Sequence, residues 1–200
     1  MNTKPKVLLV GPICNLSGYS EHARLMLDSL LVCEDSIDLY VQVTQWSKST
    51  YSEKYHNKYK YIIQKTKNLF TSKMDQKGNV MLDGFFDASY QVCPPNEFRK
   101  ISDSDVGVTA ALETTSAPEE WIPNCNMMKH IFVVSEHAKK NLKNTKGTNG
   151  IKINTPITVI PFGFDQTVEK TDVYSDVNIT TNFNFLTVSQ FAPRKNIENL

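Results

Sequence analysis

Apolar and polar positions along the chain predict short buried strands separated by amphipathic helices. Six runs are rich in β-branched residues, and several are continuously apolar, as expected for strands covered on both faces. The predicted strands are Val7–Val10, Ile37–Val43, Ser89–Val92, Val106–Leu112, Ile131–Val134 and Ile157–Ile160. This alternation of strands and helices predicts an α/β fold with a doubly wound, mostly parallel sheet.

Four segments between these strands carry apolar residues at helical spacing. They are Ser20–Leu31, about Tyr51–Phe70, Pro118–Met128 and Glu136–Leu142. In the third, Ser116 and Glu119 have the spacing of a capping box, and Pro118 stands in the first turn, where its missing N–H does no harm. We therefore expect that helix to begin near Pro118, with Trp121 in the core.

The last thirty residues predict the start of a second unit. Thr171–Asn182 is polar and rich in turn-forming residues, as is typical of a linker. Phe185–Val188 then predicts a buried strand, and Asn196 is a candidate N-cap for a helix. We expect a Rossmann-like domain at 1–165, a linker or hinge at 166–182, and the incomplete beginning of a second Rossmann-like domain at 183–200.

Composition and charge narrow the function classes. The chain is 40% apolar and 22% charged with a formal net charge of +1, which argues against a global binder of nucleic acid or anionic membranes. No stretch approaches the roughly 18 apolar residues of a membrane span. The N-terminus runs directly into the first strand, so we expect no signal peptide, a cytoplasmic location and at most peripheral membrane contact.

The four cysteines are widely spaced and form no CxxC pattern. This spacing predicts neither a zinc site nor disulfides. We expect no metal and no required cofactor.

The segment Ser47–Asn79 combines eight lysines with several tyrosines and allows two interpretations. Lysines interleaved with aromatic residues can contact phosphates and stack on bases, which would indicate a nucleic-acid-binding protein. The favoured interpretation is an amphipathic helix with lysines on the solvated face, so that no nucleic acid is expected as a partner. Its buried stripe would comprise Tyr51, Tyr55, Tyr59, Ile62 or Ile63, Thr66 and Phe70.

Three places carry candidate chemistry. Gly11 follows the first strand and Ser17 and Gly18 precede the first helix, where backbone N–H groups favour an anionic ligand. Glu113 follows the predicted strand Val106–Leu112 at the edge where open α/β sheets bind ligands. It is the candidate catalytic residue, since a carboxylate there can take a proton from a hydroxyl nucleophile or hold a sugar hydroxyl. Each of these two signals is equally compatible with a purely structural role.

The third place is the end of the chain. Arg194 and Lys195 follow a predicted strand and precede a predicted helix. Two cations beside the N–H groups of a helix end are suited to binding a phosphate.

Several motifs in order resemble family 4 glycosyltransferases of the GT-B fold. The matching stretches are "GPICNLSGY", "ALETTSAPEEWIPNCNMMKHIFVVSEHAKKNL", "ITVIPFGFD" and "FNFLTVSQFAPRKNIENL". The resemblance covers nearly the whole chain and is weakest between about Ser47 and Asp87. It implies a nucleotide-sugar donor held between two Rossmann-like domains, retention of anomeric configuration, and no essential metal.

The resemblance also implies roles by position. Lys195 matches the phosphate-binding lysine, and Ser17 and Gly18 match the glycine loop near the donor phosphates. The turn before the hinge corresponds to Pro161, Gly163 and Asp165.

The chain departs from the family pattern in two places. Ser189 and Gln190 replace a Gly-Arg pair, so that Arg194 is the candidate substitute for the missing cation. A histidine near the acceptor has no counterpart, and Gln91 and Asn96 stand in that region instead.

We expect the 200 residues to be the N-terminal part of a retaining glycosyltransferase and to be inactive alone, because most donor contacts would lie beyond Leu200. The acceptor would be a sugar, a lipid-linked group or another hydroxyl compound. The alternative is a non-catalytic sugar- or nucleotide-binding module of the same fold.

Overall fold

The structure is a computed structural model that describes residues 4–163 and 180–188 of the chain. The chain divides into two compact units, Met1–Gly163 and Phe164–Leu200. The first unit contains every helix and strand of the described residues. The predicted linker and most of the predicted second domain lie outside these residues, so the domain boundaries remain a prediction.

Six parallel strands form one sheet in the order β2-β1-β3-β4-β5-β6. The strands are β1 Lys6–Gly11, β2 Asp38–Val43, β3 Ala88–Val92, β4 Ser104–Thr109, β5 His130–Val133 and β6 Ile157–Val159. The helices are α1 Gly18–Leu31, α2 Glu53–Lys58, α3 Lys60–Ser72, α4 Trp121–Met127 and α5 Glu136–Asn144. The predicted α/β class with a parallel sheet is confirmed.

Side chains of β1 alternate between two core clusters, because successive residues of a strand point to opposite faces. Val7 and Leu9 pack with residues of α1 and α3, whereas Leu8 and Val10 pack with Tyr40 and Phe86. A third cluster joins α4, α5 and the strands β5 and β6, and it contains Trp121 as expected. Both faces of β1 are therefore covered.

The helix predicted at Tyr51–Phe70 is interrupted at Tyr59, where φ is −106° and ψ is 14°. The Tyr59 ring is only 3% exposed, and its hydroxyl donates to the Asp28 carboxylate of α1 at 3.0 Å. The buried stripe is confirmed at Tyr59 and at Ile62, Ile63 and Thr66. It is wrong at Tyr51, which is 48% exposed.

Side chains of α3 cover the outer edge of β2. The Val41 N–H donates to Thr66 Oγ1 at 2.8 Å, and Lys65 Nζ donates to the Leu39 carbonyl at 2.9 Å. These bonds satisfy backbone groups that an edge strand otherwise leaves unpaired.

The capping box predicted at Ser116 does not form, and α4 begins at Trp121. The Glu119 carboxylate instead accepts hydrogen bonds from the Thr148 N–H at 2.8 Å and from its hydroxyl. A tertiary contact has replaced the local cap, so the helix is shorter than predicted.

The buried strand predicted at Phe185–Val188 is also wrong within the described residues. Residues 184–188 have no strand pairing there, and Phe185, Leu186 and Val188 are between 87% and 91% exposed.

None of the helices in the described residues is both long and apolar enough to span a membrane.

Candidate ligand site at the carboxyl edge of the sheet

The strand order reverses between β1 and β3, because the chain leaves β1 for β2 on one side and returns to β3 on the other. Ligands of open α/β sheets bind in the crevice at the carboxyl ends of the strands at such a point. A cavity of about 280 Å³ lies there. We call it the switch-point crevice, and its lining comprises Val10, Thr44, Gln91, Val92, Cys93, Glu97 and Arg99.

Two charged side chains of the crevice come from one short segment that follows β3. A 3₁₀ turn at Pro95–Glu97 leads into Phe98, which has an extended backbone and is 1% exposed. The Phe98 ring lies over Gly107 of β4, so closely that a Cβ there would stand 2.4 Å from its Cζ. Glu97 and Arg99, on either side of Phe98, are exposed, and both line the crevice.

Buried amides hold the backbone of this segment in place. The Arg99 N–H donates to Gln91 Oε1 at 3.0 Å, and Gln91 Nε2 donates to the Arg99 carbonyl at 2.7 Å. Asn124 Nδ2 donates to the Phe98 carbonyl at 3.0 Å. The backbone is thereby fixed, while the charged ends of Glu97 and Arg99 remain exposed.

The two charges have few protein partners. An Arg99 guanidinium nitrogen donates to Gln42 Oε1 at 3.1 Å. Ion pairs among the described residues involve neither Glu97 nor Arg99. At the crevice wall, burial raises the pKa of the Cys93 thiol to about 12, and the Glu97 carboxylate adds to this rise while Arg99 opposes it. Cys93 is therefore a neutral thiol near pH 7, and the charges of the crevice are those of Glu97 and Arg99.

An aromatic pair stands at the start of α1. The rings of Tyr19 and Trp46 stack with centroids 4.4 Å apart. The Tyr19 hydroxyl and Thr109 Oγ1 lie 2.9 Å apart, and the Ala110 N–H donates to the same hydroxyl at 3.3 Å. Burial raises the pKa of Tyr19, so that this contact is made by a neutral phenol. The beginning of α1 is tied to the end of β4.

The residues at both ends of the glycine loop, residues Gly11–Gly18, have a structural role. A Cβ on Gly11 would lie 3.0 Å from Ala23 Cβ, so the absent side chain lets α1 pack closely on β1. Ser17 is the N-cap of α1, and its Oγ accepts from the Ser20 N–H at 3.1 Å. Gly18 has open space on its Cβ side. The loop thus presents a capped helix start to solvent at the edge of the sheet.

A buried arginine fixes the backbone of the glycine loop. Arg24 of α1 is 5% exposed, and its guanidinium donates to the carbonyls of Ile13 at 2.9 Å and Asn15 at 2.8 Å. It also pairs with Glu21 and lies over the Tyr55 ring, 3.7 Å from the centroid. These contacts hold the glycine loop firmly at the carboxyl edge of the sheet.

Glu113 does not stand at a strand end as predicted. The strand β4 ends at Thr109, and Ala111 has a left-handed φ of 55°, which interrupts the extended backbone. Glu113 is exposed four residues beyond the strand, and the crevice lining within the described residues does not include it.

The predicted hinge turn is described only in part. Phe162, between Pro161 and Gly163, places its ring 4.4 Å from the ring of the buried His22 on α1. Asp165, Arg194 and Lys195 lie outside the described residues, so the predicted phosphate clamp remains a prediction.

Gln91 and Asn96, suggested as replacements for a missing histidine, are not exposed ligands of the crevice. The amide of Gln91 is occupied by Arg99 and Ser89, and Asn96 is not part of the lining. The residues that sequence reasoning missed are Glu97 and Arg99. Their signal in the sequence was one charged residue on each side of an aromatic residue, just after a strand.

Among the described residues, no three His, Cys, Asp or Glu side chains come together in a way that would hold a metal ion. The four cysteines form no disulfide.

No family model matches the chain, and neither the curated proteins nor the solved structures contain a significant match to it.

Proposed function

We propose that this chain is the N-terminal part of a retaining glycosyltransferase that moves a sugar from a nucleotide-sugar donor to an acceptor hydroxyl. The observation that carries the proposal is the switch-point crevice, a small cavity with both apolar and charged lining at the carboxyl edge of a parallel sheet. The order of the glycosyltransferase-like motifs, rather than the position of the last residue, supports a longer enzyme. We further propose a cytoplasmic enzyme, since four unpaired cysteines suit a reducing compartment.

In this proposal the sheet edge receives the reacting groups. Arg194 and Lys195 stabilise the departing nucleotide diphosphate electrostatically. The start of α1, at Ser17 and Gly18, flanks the same phosphates, because N–H groups at a helix start favour negative charge. Gly11 contributes indirectly, by allowing α1 to pack close to β1. Glu113 remains a candidate contact to the acceptor hydroxyl.

Closure of two domains about the segment after Asp165 would exclude water from the reaction. Transfer to the acceptor would then be faster than hydrolysis of the donor. No metal or cofactor is required in this proposal.

The test is turnover by the product of the complete reading frame with UDP-, GDP- and ADP-sugars, with and without acceptors. Lys195→Ala should lower kcat at least about 100-fold, because one preorganised electrostatic contact contributes that much. Lys140→Ala, on the exposed side of α5, is the matched control and should leave turnover unchanged. Donor binding without turnover would reject the enzyme and favour a non-catalytic binding module. This module is the second candidate because Ser189 and Gln190 replace the Gly-Arg pair of the family pattern.

A further inference from the structure

Glu97 and Arg99 bring one negative and one positive charge to the same small cavity. Neither side chain forms an ion pair with another described residue. One guanidinium nitrogen of Arg99 donates a hydrogen bond to Gln42 Oε1 at 3.1 Å. A guanidinium has five N–H donors and a carboxylate accepts several hydrogen bonds, so both groups keep unused capacity toward the crevice.

This pairing of charges restricts the ligand chemistry. A phosphate or a nucleotide would meet the Glu97 carboxylate as a like charge. A lipid chain would have to remove water from both charges without replacing their hydrogen bonds, which is costly. A neutral molecule with neighbouring hydroxyl groups satisfies both side chains, because each hydroxyl can donate to the carboxylate and accept from the guanidinium.

The volume and the apolar lining of the crevice restrict the ligand further. The cavity of about 280 Å³ is near the lower end of ligand pockets, which measure about 300–1,000 Å³. Val10 and Val92 supply apolar lining beside the hydroxyl of Thr44. A single ring with C–H groups and peripheral hydroxyls matches this mixture, and an extended polymer or acyl chain does not.

We infer that the switch-point crevice binds one neutral sugar unit of the acceptor, with Glu97 accepting from one hydroxyl and Arg99 donating to a neighbouring one. That this sugar belongs to the acceptor rests on the proposed function, whereas the sugar site itself is inferred from the geometry of the crevice. The inference narrows the acceptor from any hydroxyl compound to a carbohydrate.

The first experiment measures sugar binding by the 200-residue chain with saturation-transfer-difference NMR. The probes are methyl α- and β-glycosides of glucose, galactose, mannose and N-acetylglucosamine, with glycerol and inorganic phosphate as comparison ligands. We expect saturable binding of at least one glycoside. Glu97→Gln and Arg99→Gln should each weaken it about 10-fold or more, as for loss of a charged hydrogen bond.

Asp103→Asn is the matched control, because it removes an exposed carboxylate outside the crevice lining. It should leave the affinity unchanged, and thermal unfolding should be the same for all three variants. Binding of phosphate alone, binding of no glycoside, or equal glycoside affinity in Glu97→Gln and the parent chain would each overturn the inference.

A second experiment separates this inference from the proposed function. In the product of the complete reading frame, Glu97→Gln should raise KM for the sugar acceptor about 10-fold, whereas Asp103→Asn should leave this KM unchanged. Donor hydrolysis without any glycoside binding would overturn the sugar site while supporting the transferase. Glycoside binding sensitive to Glu97, without turnover of any donor, would support the sugar site and reject the transferase.

Discussion

The glycine loop and the β4 loop, residues Ala110–Glu120, leave the same edge of the sheet, and they differ in how their backbones are held. In the glycine loop Ile13, Cys14 and Asn15 have no measurable exposure, and the charge of Arg24 anchors two carbonyls. In the β4 loop residues 113–116 are exposed. Between Thr114 and Ala117 the β4 loop is held by neutral side chains of α5 and its C-cap, Asn141 to Thr114 and Thr145 to the Ala117 N–H.

This difference separates a firmly held loop at the edge of the sheet from a loop that is more open to change. Charge-assisted hydrogen bonds inside a protein are about twice as strong as neutral ones, and exposed backbone can exchange its partners for water. We therefore expect the glycine loop to keep one geometry and the β4 loop to open more readily.

The largest effect is expected from Arg24→Ala, which would make the glycine loop resemble the β4 loop. The substitution leaves two buried carbonyls without a charged donor, so the free energy of unfolding should fall by about 3 kcal/mol. Urea denaturation measures this loss, and amide exchange at Ile13–Leu16 should accelerate. Arg99→Ala, at an exposed arginine, should change stability by less than about 0.5 kcal/mol. Equal effects of the two substitutions would contradict the anchoring role of Arg24.

The next effect tests close packing at the start of the glycine loop. Gly11→Ala places a Cβ 3.0 Å from Ala23 Cβ and 3.3 Å from Val92 Cβ, which should destabilise the fold by about 1–3 kcal/mol. Gly18→Ala is the matched control, because nothing lies within 4 Å of its Cβ and alanine favours a helix. Thermal unfolding should show a lowered Tm for the first variant and an unchanged or raised Tm for the second. A loss of stability in both variants would show that lack of space for a Cβ does not explain the glycine at position 11.

A smaller effect is expected when the β4 loop is released. Asn141→Ala removes hydrogen bonds to the Thr114 carbonyl at 2.9 Å and to its hydroxyl at 3.0 Å, and should cost about 1 kcal/mol. Hydrogen exchange at residues 113–116 should rise while Ile13–Leu16 stay protected. Asn144→Ala, which loses one exposed bond of 3.2 Å to the Thr115 carbonyl, should have little effect. Simultaneous opening of both loops would mean that they form one unit.

The smallest effect is a pH dependence at His22, on the helix that follows the glycine loop. Burial lowers its pKa below the ordinary value of 6.5. The unfolded chain therefore binds more protons at acid pH, so the contribution to stability is complete above about pH 6.5 and falls as pH decreases toward the folded pKa. The slope from this one group cannot exceed about 1.4 kcal/mol per pH unit.

Unfolding by urea between pH 7 and pH 5 measures this slope. His22→Gln should flatten the decrease, whereas His137→Gln, at an exposed residue of α5, should leave it unchanged. An identical slope in the His22 variant would exclude His22 as the source.

Periodicity predicted the parallel sheet and the position of most elements, because β-branched runs and amphipathic spacing are local properties of the chain. It failed where a distant contact decided the outcome. Glu119 bonds with Thr148 instead of capping a helix, and Tyr59 interrupts a helix to reach Asp28. Ala111 ends β4 early through a left-handed backbone that no pattern of apolar residues indicates.

The candidate site was only partly predictable for a similar reason. Gly11, Ser17 and Gly18 were predicted from the rule that ligands approach the start of a helix after a strand, but the crevice lining does not include them. Glu97 and Arg99 depend on Phe98 lying over Gly107 and on the Gln91 amide holding the backbone. Those contacts join β3 and β4 to the segment between them, and a single sequence read locally does not contain them.

The closed outer edge of β2 has a consequence for the behaviour of the protein at high concentration. Thr66 and Lys65 occupy the N–H of Val41 and the carbonyl of Leu39, two of the groups that a strand from a second copy would have to pair with. Two side chains of one helix thereby disfavour sheet-to-sheet polymerisation through this side.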